Sequence, residues 1–116
     1  MGALTTHVLD TSMGKPGAGI RLDLYQLDKQ RQHLMTTVTN EDGRCDQALL
    51  EGDAFSEGEY EMVFQVGEYF ASRGVVLPEP PFLNQVVIRF SVSDASEHYH
   101  VPLLLSPYSY STYRGS

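Results

Sequence analysis

The run His98-Tyr99-His100-Val101-Pro102-Leu103-Leu104-Leu105 decides the fold, because it alternates as a strand and presents two very different faces. Tyr99, Val101, Leu103 and Leu105 make one apolar face, a core surface. His98, His100, Pro102 and Leu104 make the other. That second face is too apolar for open solvent, so it needs a partner subunit or a ligand to cover it. Its two histidines, at i and i+2, point the same way about 7 Å apart.

Working outward, the same period of two recurs in short runs separated by turn residues. Leu4 to Asp10 sets Leu4, Thr6 and Val8 against Thr5, His7 and Leu9, so His7 and Leu9 repeat the mixed outward face. Met13 to Gly17 supplies a turn. Strands are predicted over Ile20 to Leu27, Leu34 to Thr39, Tyr60 to Val66, Val86 to Ser93 and Tyr108 to Tyr113. Gly67 to Arg73 reads as the one short helix, ending near Gly74. Leu77-Pro78-Glu79-Pro80-Pro81-Phe82 cannot be regular structure, since proline fixes φ and lacks the N–H. Asn40-Glu41-Asp42-Gly43 is a tight turn, with Arg44 directly after it. About eight short strands and one helix predict an all-β, Greek-key sandwich of two four-stranded sheets.

At 116 residues the chain is read as one domain, residues 1–116, burying roughly 65% of its unfolded surface. No apolar run approaches the ~20 residues of a membrane span, and no secretory signal is visible. Cys45 is the single cysteine, which excludes an intrachain disulfide and fits a reducing compartment; the expected location is cytoplasmic. The net charge is -7, from 15 acidic and 8 basic residues, so nucleic acid is an unsuitable partner. An acidic chain that binds a small anion must gather its few cations, and Arg44 and Arg114 are the candidates.

His-X-His is half of a metal site, but zinc needs three or four ligands. His7 is the one further candidate, with no carboxylate or thiolate clearly placed to join it, so no metal and no cofactor are expected. Cys45 lacks a local base and reads as a small buried hydrophobe. His33, beside Gln32 near a turn, reads as an inert surface histidine. No nucleophile elbow, phosphate loop or dinucleotide fingerprint is present. The remaining set is His7, Arg44, His100 and the terminal Tyr113-Arg114-Gly115-Ser116, with His98 as an addition. Histidines supply acid and base near neutral pH, and arginine supplies a fixed fork for an oxyanion. That is a kit for adding water to a polarised carbonyl.

Three motifs carry a resemblance along nearly the whole chain: His7-Val8-Leu9-Asp10 with Gly14-Lys15-Pro16, then Asp42-Gly43-Arg44, then His98 to Ser116 ending in Tyr-Arg-Gly-Ser. Together they resemble the 5-hydroxyisourate hydrolases, transthyretin-like enzymes of purine catabolism. The resemblance implies the transthyretin sandwich and a homotetramer with active sites where two dimers meet. It also implies hydrolysis of the small molecule 5-hydroxyisourate to 2-oxo-4-hydroxy-4-carboxy-5-ureidoimidazoline in urate degradation. His7, Arg44 and His100 become the catalytic set. His7, Arg44, His98, Tyr113, Arg114, Gly115 and Ser116 become the substrate contacts. Which histidine is the base stays open. The rival is the transthyretin carrier of small hydrophobic ligands such as thyroid hormone, whose sequences resemble this one through Leu104 to Thr112 but lack the histidines.

Overall fold

The computed structural model describes residues 2–115; Ser116, expected in the terminal part of the site, lies outside them, as does Met1. The strands are β1 (Ala3–Asp10), β2 (Lys15–Pro16), β3 (Arg21–Leu27), β4 (Arg31–Val38), β5 (Leu50–Glu51), β6 (Gly58–Phe64), β7 (Val86–Val92), β8 (His98–Leu105) and β9 (Tyr110–Thr112). A 3-10 turn, Gly52–Ala54, follows β5, and the helix α1 (Val66–Ser72) follows β6.

One sheet runs β2-β1-β8-β9 with β5 also paired to β1; the other runs β4-β3-β6-β7. The predicted sandwich is present, but the first sheet has five strands instead of four. The extra pieces, β2 and β5, are two residues each and exist only by register, Leu9 opposite Pro16 and Leu4 opposite Leu50. Two residues carry no periodicity that could announce them. Likewise β4 begins at Arg31, before the apolar signal at Leu34, because Arg31, Gln32 and His33 are exposed edge residues held by β3.

The core faces are those the alternation assigns. Leu4, Val8, Leu103 and Leu105 of the first sheet meet Leu22, Leu24, Tyr60, Met62 and Phe64 of the second, all with no exposed surface. Each such burial is worth about 1.5–3 kcal/mol. Val66 and Phe70 of α1 join the same core, and Gly74, at φ 77°, ends the helix in the left-handed conformation.

Two details of this frame shape the outward face of the first sheet. First, β1 and β8 pair in parallel, Thr5 opposite His100 and His7 opposite Pro102, whereas the other strand pairings among the described residues are antiparallel. Second, the chain beyond β9 stays alongside β8, with Gly115 bridged to His100.

Candidate active site

Asn40 to Arg44 forms a turn laced by its own first residue. The Asn40 side-chain oxygen accepts from the Asp42 and Arg44 amides, and the Gly43 amide donates to the Asn40 carbonyl at 2.9 Å. Gly43 has φ 77°, and a β-carbon there would sit 2.4 Å from the Val8 carbonyl oxygen. Glycine therefore lets the turn lie directly on β1, where the Val8 amide donates to the Gly43 carbonyl at 2.8 Å and Arg44 bridges His7. Arg44 is exposed, and among the described residues its guanidinium has no hydrogen-bonding or ion-pair partner.

His7 is half-buried, and its Nε2 lies 2.9 Å from the Asp42 carbonyl oxygen. A carbonyl only accepts, so Nε2 carries the proton and Nδ1 keeps the lone pair when the ring is neutral.

Across the parallel seam, Thr5 Oγ1 lies 2.8 Å from His100 Nδ1 and 2.9 Å from His98 Nε2. His100 thus keeps Nε2 as its remaining nitrogen. Its pKa is depressed below the ordinary histidine value, first by burial, then by the charges of Arg44, His7 and His98. A β-carbon on Gly115 would come within 2.6 Å of His100 Cδ2, so the imidazole rests against bare backbone at that point. The Gly115 amide donates to the His100 carbonyl at 2.7 Å.

A cavity of about 450 Å³ opens over these groups. Thr5, His98 and His100 line it on the sheet side, and Arg44, Cys45 and Gln47 on the other. His7 does not line it, although its charge reaches His100. Cys45 is half-buried against the core cluster, and burial pushes its thiol pKa up. No three of the described His, Cys, Asp and Glu residues converge as metal ligands would.

The terminal residues divide by face. Gly115 is bridged to His100 on the outward side, whereas Tyr113 and Arg114 line a groove with Ile88, Phe90, Tyr99 and Val101. The Arg114 guanidinium stacks on the Tyr99 ring 3.9 Å from its centroid, pairs with Glu97 at 3.1 Å and donates to the His98 carbonyl at 3.2 Å. Within the chain, therefore, Arg114 ties the terminal segment to β8 and reaches away from the cavity.

His33 stands on the other sheet, where its Nε2 lies 2.9 Å from both Asp23 and Thr36 side-chain oxygens. It sits within β4 and shares nothing with the cavity. Thr5 is the residue that sequence reasoning assigned to the outward face without giving it a role. Its contacts span 93 and 95 positions, and only the β1–β8 pairing reveals them.

The family described as "Transthyretin: HIUase/Transthyretin family" matches residues 4–115. A 5-hydroxyisourate hydrolase of Pseudomonas aeruginosa is 60% identical over 100% of this chain and 93% of its own length. Among solved structures, Klebsiella pneumoniae 5-hydroxyisourate hydrolase superposes with a TM-score of 0.81 at 32% identity, covering 98% of this chain and 99% of that one. Sea bream transthyretin in complex with thyroxine superposes with a TM-score of 0.86 at 28% identity, covering 97% and 94%.

Proposed function

The chain belongs to the HIUase/Transthyretin family and hydrolyses 5-hydroxyisourate in urate degradation, and we propose that it does so on the outward β1–β8 face, with Arg44 above the histidines. The observation that carries this assignment is the convergence of Arg44, His98 and His100 around one cavity, in a chain 60% identical to a hydrolase of that name.

In this reading His100 is the base. Its depressed pKa keeps the ring neutral at physiological pH, and its Nε2 is available to take a proton from water. The resulting hydroxide attacks the ring carbonyl beside nitrogen. Arg44, with no competing partner among the described residues, holds the substrate and stabilises the negative charge that develops on oxygen. His7 works beside it, Nε2 fixed by Asp42 and Nδ1 left as an acceptor toward the substrate. The departing ring nitrogen then takes a proton from imidazole. Protons and hydroxide suffice for this hydrolysis, so the reaction is assigned no cofactor and no metal.

Gly115, bridged to His100, closes the terminal side of the site, and Arg114 fixes that segment in place. The functional assembly is a homotetramer. Leu9, 36% exposed, and the half-buried Leu104 share the histidine face, and pairing of dimers across that face covers both and encloses the cavity. The cytoplasm is the location proposed for the enzyme, a reading that the single Cys45 supports. No helix among the described residues is long and apolar enough to cross a membrane.

A carrier role for a thyroxine-like ligand would use the same fold, but three histidines and a bare arginine are unsuited to an apolar iodinated ring. The deciding experiment follows the absorbance of 5-hydroxyisourate generated in situ by urate oxidase. Purified protein should accelerate the decay far beyond the spontaneous rate; an unchanged decay would remove the hydrolase assignment.

A further inference from the structure

We propose that the Thr5 hydroxyl is a proton relay between His100 and His98, a positioning residue that lets one imidazole serve first as base and then as acid. The proposal rests on the hydrolase reading of the same face. Its geometric basis is that one hydroxyl lies within hydrogen-bond distance of both rings, 2.8 Å from His100 Nδ1 and 2.9 Å from His98 Nε2.

A hydroxyl has one proton, so the three groups admit two neutral arrangements in which Thr5 accepts from one ring and donates to the other. In the first, His100 Nδ1–H donates to Thr5 Oγ1, and Thr5 O–H donates to His98 Nε2. His100 Nε2 then carries a lone pair and is a base. In the second, Thr5 O–H donates to His100 Nδ1 and His98 Nε2–H donates to Thr5 Oγ1. His100 Nε2 then carries a proton and is an acid.

Hydrolysis of a cyclic amide needs both states in that order. When His100 Nε2 takes the proton of water, its Nδ1 proton moves to Thr5 Oγ1 and the Thr5 proton moves to His98 Nε2. His100 stays neutral and His98 becomes the imidazolium. The hydroxide joins the carbonyl carbon. When the C–N bond breaks, the electron pair remains on nitrogen, which takes the Nε2 proton of His100. Thr5 returns a proton to His100 Nδ1 and His98 Nε2 returns one to Thr5. The net change is H and OH across the C–N bond, with the trio restored.

Burial gives this transfer a purpose. His100 is half-buried and faces positive or titratable neighbours: His7 on β1, Arg44 and Asp46 on the segment after the turn, and His98 on its own strand. A full charge on its ring is unfavourable there, whereas His98 is the more exposed of the two rings within the chain and carries charge at less cost. Thr5 moves the charge from the first ring to the second.

The test compares Thr5→Val, which keeps shape and strand preference, with Thr5→Ser, which keeps the hydroxyl. Thermal unfolding should show both folded. Thr5→Val should lower kcat about tenfold to a hundredfold with KM little changed, and Thr5→Ser should recover most of it. His98→Ala combined with Thr5→Val should be no worse than the more damaging single variant, since both cut one path. Wild-type kcat in Thr5→Val, a Thr5→Ser enzyme as poor as Thr5→Val, or additive losses would each overturn the relay. A second readout needs no activity: nitrogen-15 NMR should show His98 and His100 titrating as a coupled pair in the wild type and independently in Thr5→Val. Identical titrations in the two proteins would overturn the relay even if the hydrolase assay succeeds, and coupled titration would sustain it if that assay fails.

Discussion

Arg44 acts at a distance on the titration of His100, and the sign of that effect is testable. Removing a nearby positive charge favours the protonated imidazole, so Arg44→Gln should raise the His100 pKa toward the ordinary histidine value. The acidic limb of residual kcat/KM should then move to higher pH, which NMR titration and a pH–rate profile check together. His7→Ala, Arg44→Ala and His100→Ala should each reduce kcat/KM by about two orders of magnitude or more, whereas His33→Ala, on the other sheet, should leave it unchanged in the same assay. Gly115→Ala should be nearly as damaging as a catalytic substitution, because the added methyl collides with the His100 ring. Its signature would be lost kcat with an almost unchanged melting temperature. At this scale the sequence was legible for the placement of His7, His98 and His100 on the outward face and of Arg44 after its turn, which follows from alternation and one turn. It was not legible for Thr5, whose partners are set by a pairing across 93 residues. Nor was it legible for the inward turn of Arg114, which depends on how the chain end registers against β8.

At the scale of elements, polar side chains tie the frame together in two places. Asp10, the last residue of β1, is fully buried and accepts from the Tyr69 hydroxyl at 2.7 Å and the Ser12 hydroxyl at 2.6 Å. It thereby joins the end of β1, the following turn and α1. The Tyr69 pKa is pushed up to about 12, first by burial and then by this carboxylate. Asp10→Ala leaves the Tyr69 hydroxyl without its partner and should cost about 1–3 kcal/mol in urea denaturation. Across the other sheet, Glu61 is buried yet bonded to Arg31 at 2.9 Å and Arg89 at 3.0 Å. Burial raises its pKa, but the two guanidinium hydrogen bonds outweigh that and leave it lowered. A depressed carboxylate stabilises the fold above its unfolded pKa and loses that contribution as pH falls through the folded one. Glu61→Gln should therefore flatten the fall in melting temperature below the ordinary glutamate range. The strands with buried alternation, β1, β3, β6, β7 and β8, were legible. So was β9, which lies within the strand predicted over Tyr108 to Tyr113, whereas the two-residue strands were not, since pairing and not side-chain pattern defines them.

For the whole molecule, the outward face of β1 and β8 is both the proposed site and the proposed contact between dimers. Light scattering should give a tetramer at micromolar concentration, and Leu104→Asp should dissociate it and abolish turnover together. A fully active monomer would separate the two. Deleting residues 113–116 should remove most activity while leaving circular dichroism and assembly near wild type, because Tyr113 and Arg114 are exposed and contribute little core.

The parallel seam between β1 and β8 also bears on how the protein comes into being. Hydrogen-bonded partners on the two strands lie 93 and 95 residues apart, so β1 leaves the ribosome long before its mate exists. At about 5–20 residues per second the first strand waits several seconds with one backbone edge unsatisfied. Late closure of distant contacts is also slow in free solution. Catalytic competence is therefore a property acquired only after β8 has been made, and the nascent chain is most open to misassociation and proteolysis while β8 is still inside the tunnel.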